Sequence, residues 1–267
     1  MIPNEHALMI YKFGEKRWIE KIKDGELSFS CGGAFISQAK KTGNVIQGDL
    51  REGVFARLLN TNPKILEMKE KLGSDLEIVP DGDYSLLRRR SAKFKPIYCA
   101  YAYTAGDAIK NKTGKKLGKQ KVKFEFDSRM YEGFSGMIDS NVVNDPNRFA
   151  LLFLQPKPFI DRIEGALNQK KLTYKMSRVK YIDMTSEEFF IELTDNYDEL
   201  FHKSIEYEYQ HEVRICLTGL KFKSVYARYP LIIFRLTNQD FELMHSKICV
   251  EFGVDFSEAV GEWEGGI

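Results

Sequence analysis

The residues best suited to chemistry are an amide and a carboxylate at Q-x-E spacing, Gln210 and Glu212, in the stretch SIEYEYQHEVRICL. If this stretch is a β-strand, alternation puts both side chains on one face, about 7 Å apart by the strand rise. Gln210 could then orient a nucleophile while Glu212 stabilises a developing positive charge. The alternative is structural, because Glu206 and Glu208 share that face and such residues also form cross-strand ion pairs. Spacing alone leaves both interpretations open.

A second polar cluster lies in the glycine-bounded segment GDLREG, where Arg51 stands beside Glu52 and close to Asp49. An arginine on such a loop could clamp a phosphate, because a guanidinium donates paired hydrogen bonds to phosphate oxygens. Alternatively, Arg51 pairs with its acidic neighbours and fixes the loop.

Positive charge is concentrated in one part of the chain. The segment KNKTGKKLGKQKVK carries seven lysines and no acid, and LLRRRSAKFKP upstream adds more basic residues. A basic surface of this kind could face the phosphate backbone of a nucleic acid. The candidate contacts are Arg89, Arg90, Lys115, Lys116 and Lys119. The alternative is a solvated loop between strands.

Composition narrows the class of protein. The chain has 267 residues, 43% of them hydrophobic and 29% charged, with a formal net charge of +2, which is enough sequence to bury a core. No apolar run approaches the roughly 20 residues that span a bilayer, and the start lacks the pattern of a secretory leader. Isolated cysteines and histidines give no metal-ligand spacing. We therefore expect a cytoplasmic protein without a metal and without a membrane partner.

The elements that must position these residues begin with strand, helix, strand. An apolar strand is predicted over Ala7–Phe13, followed by a helix through EKRWIEKIKDG that Gly25 ends. In the second strand, ELSFSCGGAFI, alternation puts Ser28 and Ser30 on one face.

Further along the chain, a polar loop is predicted after the second strand and a helix over NPKILEMKEKLG. Lys95–Gly106 and Phe149–Leu154 have the apolar pattern of buried strands. Helices are predicted over PFIDRIEGALNQKKL and over TSEEFFIELTDNYDELFHKS, from Thr185 to Ser204. This order predicts a single mixed α+β domain over residues 1–267, with a basic insertion around 106–124, and no alternating βαβ array.

Several of these segments resemble the ADP-ribosyltransferase superfamily, whose fold starts with strand–helix–strand and ends on a strand that carries [Q/E]-x-E. The matching segments are IYKF, KRWIEKIKDGEL, the Ser-x-Ser of LSFSC, and YQHEVRI. The layout also resembles a family of bacterial and phage proteins of unknown function from defence loci, through GELSFS, GDLREGVF and HKSIEYEYQHEVRI. The likeness covers Ala7–Asp49 and Lys95–Leu217 in loose order.

The resemblance implies an ADP-ribosyltransferase-like fold, with a central split antiparallel β-sheet core and peripheral helices, and NAD as the substrate. Cleavage of the nicotinamide–ribose bond passes through an oxocarbenium-like transition state, as glycoside cleavage does. Glu212 would stabilise that charge and Gln210 would orient the nucleophile. The residues expected to bind the NAD are Tyr11, Lys12, Ser28, Ser30 and Arg51.

Together with the basic segment, the resemblance predicts an ADP-ribosyltransferase that modifies RNA or DNA. We expect a toxin of a bacterial anti-phage or toxin–antitoxin system, with a neutralising antitoxin as a partner. Two alternatives remain open. One is a non-catalytic nucleic-acid-binding or partner-binding protein on the same fold, and the other is a metal-dependent nuclease that uses the carboxylates around Glu212.

Overall fold

The computed structural model describes residues 7–23, 25–42, 49–104, 109–110, 121–125, 148–153, 156–185, 187–220, 232–235, 249–253 and 260–264. The α-helices in these ranges are α1 (Lys16–Lys23), α2 (Gly32–Thr42), α3 (Lys64–Leu72) and α4 (Pro156–Gln169). The 3₁₀ helices are Gly73–Asp75, Ser91–Phe94, Asp198–Phe201 and Ile205–Gln210. The strands are β1 (Ala7–Glu15), β2 (Glu26–Cys31), β3 (Val54–Leu59), β4 (Leu76–Asp81), β5 (Tyr84–Arg89), β6 (Pro96–Thr104), β7 (Ile109–Lys110), β8 (Lys121–Glu125), β9 (Arg148–Phe153), β10 (Lys175–Arg178), β11 (Lys180–Ile182), β12 (Phe189–Phe190), β13 (His202–Ser204), β14 (Glu212–Cys216), β15 (Ile232–Arg235), β16 (Cys249–Gly253) and β17 (Val260–Glu264).

This part of the chain is an α+β protein with largely antiparallel sheets and a few helices, as the sequence predicts at that level. None of the helices given above is long and apolar enough to cross a membrane. The chain divides into two compact units. Apart from Met1, unit 1 holds Leu27–Cys99 and Gly165–Phe234, and unit 2 holds Ile2–Glu26, Ala100–Glu164 and Arg235–Ile267. The single domain over residues 1–267 stays a prediction.

In unit 1, one sheet has the strand order β12-β3-β5-β4, and its pairings are antiparallel. Helix α3 covers it because Ile65 and Met68 recur at helical spacing and are both buried. The buried residues of this core are Phe55, Ala56, Leu58, Ile65, Met68, Leu76 and Leu87.

Strand β14, which carries Glu212, lies in a second sheet of unit 1 and is buried along its whole length. It pairs antiparallel with β10 on one side and neighbours β6 on the other. Strand β2 also pairs with β6, and the short strands β11 and β13 pair in parallel. In β2 the apolar side chains are buried whereas Ser28 and Ser30 are partly exposed, which confirms that the two serines share a face.

In unit 2, the residues of β6 from Ala100 onward pair with β1, which pairs with β9, which pairs with β16. Strands β7, β8 and β17 form a small separate sheet. The predicted order of strand, helix and strand at the start of the chain is confirmed by β1, α1 and β2. Gly25 follows α1 with φ 80°, a left-handed conformation that glycine adopts without strain.

Three predicted elements are wrong. Residues 205–210 are a 3₁₀ helix and not part of a strand, so β14 starts only at Glu212. The helix predicted from Thr185 to Ser204 is replaced by β12, a short 3₁₀ helix and β13, because Phe189 and Phe190 pair with β3 at the sheet edge. The second strand, predicted through ELSFSCGGAFI, ends at Cys31, because α2 begins at Gly32 and runs to Thr42, into the predicted polar loop.

Candidate functional site

Gln210 and Glu212 lie together in unit 1, although they belong to different elements. The ammonium group of Lys203 donates to Gln210 Oε1 at 2.7 Å and to Glu212 Oε2 at 3.2 Å. The three side chains are buried, with Glu212 only 4% exposed. The Q-x-E pair therefore converges on one cation inside the protein.

Arg214 completes this cluster with its forked guanidinium. Its Nε donates to Glu212 Oε1 at 2.7 Å, while Nη1 and Nη2 donate to the two carboxylate oxygens of Glu52 at 2.6 and 2.9 Å. Nη1 also donates to the carbonyl of Leu200 at 2.6 Å. Two carboxylates thus face two cations, which neutralises the charge and allows its burial. We call Glu52, Lys203, Gln210, Glu212 and Arg214 the Glu212 network.

The charges of the network shift one another's pKa values, and not all in the favourable direction, because burial raises the pKa of Glu52 despite its pairing with Arg214. Burial alone would raise the pKa of Glu212, but Arg214 and Lys203 hold that pKa well below its usual value. Burial likewise opposes the charge of Lys203, and Glu212 keeps the Lys203 pKa raised. Glu212 is therefore ionised at neutral pH, and both of its oxygens accept hydrogen bonds from the protein.

Local backbone structure explains how the pair converges. Tyr207 and Gln210 are one 3₁₀ turn apart and are both buried, because positions i and i+3 eclipse in a 3₁₀ helix. His211 then adopts a left-handed conformation with φ 47°, which redirects the chain into β14. The backbone N–H of Glu212 donates to the hydroxyl of Tyr181 at 2.8 Å, and its carbonyl accepts from Val179 at 2.9 Å.

A cavity of about 390 Å³ lies beside the network in unit 1, with Arg51 and Tyr207 in its wall. Arg51 does not pair with its acidic neighbours through its guanidinium. Its backbone N–H donates to Asp49 Oδ1 at 2.8 Å, whereas Glu52 binds Arg214. The Tyr207 ring also contacts the network, because Lys203 Nζ lies 4.6 Å from its centroid.

The other residues expected to bind NAD are divided between the units. Ser28 and Ser30 are partly exposed on β2 in unit 1. Tyr11 and Lys12 belong to unit 2. Tyr11 is fully buried there, stacked at 5.3 Å on Tyr101 and at 5.5 Å on a second tyrosine.

The predicted nucleic-acid contacts also have different surroundings. Arg89 is buried, donates to both carboxylate oxygens of Glu199 at 2.6 and 2.8 Å, and stacks 4.1 Å above the Tyr197 ring. Contact between Arg89 and a phosphate would require this pair to open. Arg90 is exposed, and its Nε donates to the carbonyl of Leu76 at 3.3 Å. The remaining candidates, Lys115, Lys116 and Lys119, lie outside the described residues, and all five contacts stay predictions.

Lys203 matters in this arrangement but had no sequence-based role. Arg214 was expected only in the ion-pair alternative, and Arg88 of the cavity wall only in the basic segment. A basic residue on either side of a buried Q-x-E motif is the available signal, because buried carboxylates need counter-charges. Within the described ranges, no group of three or more His, Cys, Asp or Glu side chains is arranged to hold a metal ion.

No protein family model, curated protein or solved structure matches this chain. The likeness to ADP-ribosyltransferases therefore depends on the sequence segments quoted above.

Proposed function

We propose that the chain is an NAD-dependent ADP-ribosyltransferase, on an ADP-ribosyltransferase-like fold, that modifies RNA or DNA in the cytoplasm. In this proposal Glu212 stabilises the oxocarbenium-like charge on the ribose and Gln210 orients the acceptor nucleophile. The protein would act as a toxin in a bacterial defence or toxin–antitoxin system and would need a neutralising protein partner.

The observation that carries the proposal is the convergence of Gln210 and Glu212 on Lys203 Nζ. Gln210 ends a 3₁₀ helix and Glu212 begins a strand, yet both side chains accept a hydrogen bond from the same ammonium group. Glu212 is also held in its ionised form by Arg214 and Lys203, which keep its pKa low. An ionised, oriented carboxylate is what stabilisation of an oxocarbenium-like ion requires.

The burial of Glu212 adds a conformational step to the proposal. At 4% exposure the carboxylate does not reach the neighbouring cavity, whereas Tyr207 lines that cavity and contacts Lys203. NAD would therefore meet Glu212 only after Tyr207 and its 3₁₀ helix move. Short 3₁₀ segments have weak hydrogen bonds and commonly act as hinges.

The test is transfer of label from NAD to RNA or DNA by wild-type protein and by Glu212→Gln. Because Glu212→Gln also weakens the network, Glu52→Gln serves as a structural control that removes a different carboxylate from the same guanidinium. Glu208→Gln, at an exposed position of the 3₁₀ helix, controls for surface charge. We expect label transfer to be lost in Glu212→Gln and kept, per folded molecule, in the other two variants. Full transfer by Glu212→Gln, or none by folded wild-type protein with any acceptor, would overturn the proposal.

The second candidate is a nucleic-acid-binding or partner-binding protein without catalysis. The observation that favours it is the occupation of both Glu212 oxygens by Arg214 and Lys203, which equally describes a structural ion-pair network. Retained nucleic-acid binding by a folded wild-type protein that transfers no label would support this candidate.

A further inference from the structure

Arg88, on β5, is a buried arginine with an incomplete set of partners. Only 3% of it is exposed. Its Nη1 donates to Glu77 Oε2 at 3.3 Å and its Nη2 to the carbonyl of Leu50 at 2.7 Å. Its Nε is shielded from solvent and has no hydrogen-bond partner among the residues that the structure describes. Buried donors in native proteins are rarely left in this state, so an additional acceptor is expected nearby.

Arg88 lines the cavity together with three further basic residues, Lys40, Arg51 and Lys93. Lys93 is already paired, because its ammonium group donates to Glu77 Oε1 at 2.5 Å. For the side chains of Lys40 and Arg51, the described part of the chain provides no ion pair. Burial lowers the pKa of Arg88, and Glu77 only partly opposes that effect. The basic residues of the cavity wall therefore have donor capacity that the described part of the chain does not use.

The acidic side chains of the cavity wall are, by contrast, mostly committed. Glu77 accepts from Arg88 and Lys93, and Asp81 accepts from Arg57 Nε at 2.8 Å. Asp49 accepts from a backbone N–H through Oδ1 at 2.8 Å. The fourth acidic residue of the wall, Glu206, is exposed. An anion in this cavity would thus meet unused donors of Arg51 and Arg88, while two of the four carboxylates in the wall, those of Glu77 and Asp81, are already paired with cations of the protein.

The rest of the wall is apolar and includes Ile36, Val79 and Leu86, with the aromatic ring of Tyr207. The volume of about 390 Å³ falls in the range of small-molecule sites, which combine apolar walls with a few convergent polar groups. We propose that this cavity binds a nucleoside phosphate, with its phosphate on Arg51 and Arg88 and its nucleoside against the apolar wall. Arginine suits this role because its planar fork binds phosphate oxygens in pairs.

This inference does not require ADP-ribosyl transfer. A protein that binds ADP in the cavity but transfers no label from NAD would retain the nucleotide site and overturn the proposed function. Transfer of label from NAD without ADP binding at Arg51 and Arg88 would keep the proposed function and overturn the nucleotide site. The two proposals can therefore fail separately.

The test is calorimetric titration of the full chain with ADP, adenosine and inorganic pyrophosphate. We expect ADP to bind, pyrophosphate to compete with it, and adenosine to bind at least about tenfold more weakly, because charge-assisted hydrogen bonds to the phosphates are absent. Equal binding of adenosine and ADP, or no competition by pyrophosphate, would overturn the assignment.

Two variants place the ligand. Arg51→Met removes a partly exposed guanidinium, and we expect it to weaken ADP binding by about tenfold or more. Arg88→Lys keeps the charge of the buried residue but loses its fork, and its folding is verified by circular dichroism before titration. Lys69→Met, at an exposed lysine of α3 outside the cavity wall, is the charge control and should change ADP affinity by less than about twofold. ADP binding unchanged in both Arg51→Met and folded Arg88→Lys would refute the site.

Discussion

Replacing Arg214 by methionine tests the energetic role of the Glu212 network most directly. The variant removes four hydrogen bonds, one to Glu212, two to Glu52 and one to the carbonyl of Leu200. It leaves two buried carboxylates with only Lys203 as a counter-charge. Breaking a buried ion pair in this way costs about 3–5 kcal/mol. For a chain of this size that loss corresponds to a decrease in melting temperature of roughly 10 °C.

The pH dependence of this loss separates it from a simple packing defect. Without the guanidinium, burial raises the folded-state pKa of the two stranded carboxylates above the unfolded value. A raised carboxylate pKa destabilises the folded protein in full above that pKa. The penalty is lost as the pH falls from the folded-state pKa to the unfolded-state pKa. The stability deficit of Arg214→Met should therefore shrink between about pH 7 and about pH 4.5.

The assay is urea unfolding of wild type and variant, followed by circular dichroism at several pH values. Arg214→Lys retains the cation and should lose less stability than Arg214→Met. Adding Glu52→Gln to Arg214→Met removes one stranded carboxylate, so the double variant should be more stable than the sum of the single losses predicts. A deficit below about 1 kcal/mol, or one that does not change with pH, would refute this account of the network.

Further predictions concern single positions and are all measured by unfolding. Gly53→Ala should lose about 1–2 kcal/mol, because φ is +69° and the new Cβ would lie 3.3 Å from a leucine methyl. Gly165→Ala, in α4 with open space around it, should instead gain about 0.5–1 kcal/mol, and equal effects of the two changes would contradict the backbone argument. His202, whose pKa is lowered to about 4 by burial and by neighbouring lysines, should make wild-type stability fall as the pH drops from about 6.5 to about 4. His202→Asn should remove that slope, and an unchanged slope would exclude His202 as its source. Arg89→Met should be strongly destabilising while Arg90→Met is nearly neutral, and the reverse order would show that Arg89 is not a buried structural residue.

Elements with a strong local pattern could be predicted from the sequence. Helix α3 shows apolar residues at helical spacing, and β6 and β9 are apolar runs, so these elements match their predictions. The alternation of serines with apolar residues in β2 likewise predicted which side chains share a face. In such elements the secondary structure follows from the apolar pattern of a few neighbouring residues, which the sequence shows directly.

The segment before Glu212 shows why the rest was not predictable. Glutamate and tyrosine alternate over residues 206–209, which favours a strand, but burial of Tyr207 and Gln210 follows a period of three. The choice is made by tertiary contacts, because Gln210 accepts from Lys203 and the Tyr207 ring packs against the same ammonium group. The ion pair between Arg214 and Glu52 was not predictable either, because the two residues lie far apart along the chain.

The separation of 162 positions between Glu52 and Arg214 has a consequence for biosynthesis. A ribosome releases the chain from its N-terminus, so Glu52 emerges long before the arginine that neutralises it. During that interval the carboxylate stays hydrated, and the surrounding core cannot close over it without a large desolvation cost. Nascent chains that do not yet contain Arg214 should therefore stay unfolded around Glu52, and in that state they would bind chaperones and be cleaved by cellular proteases.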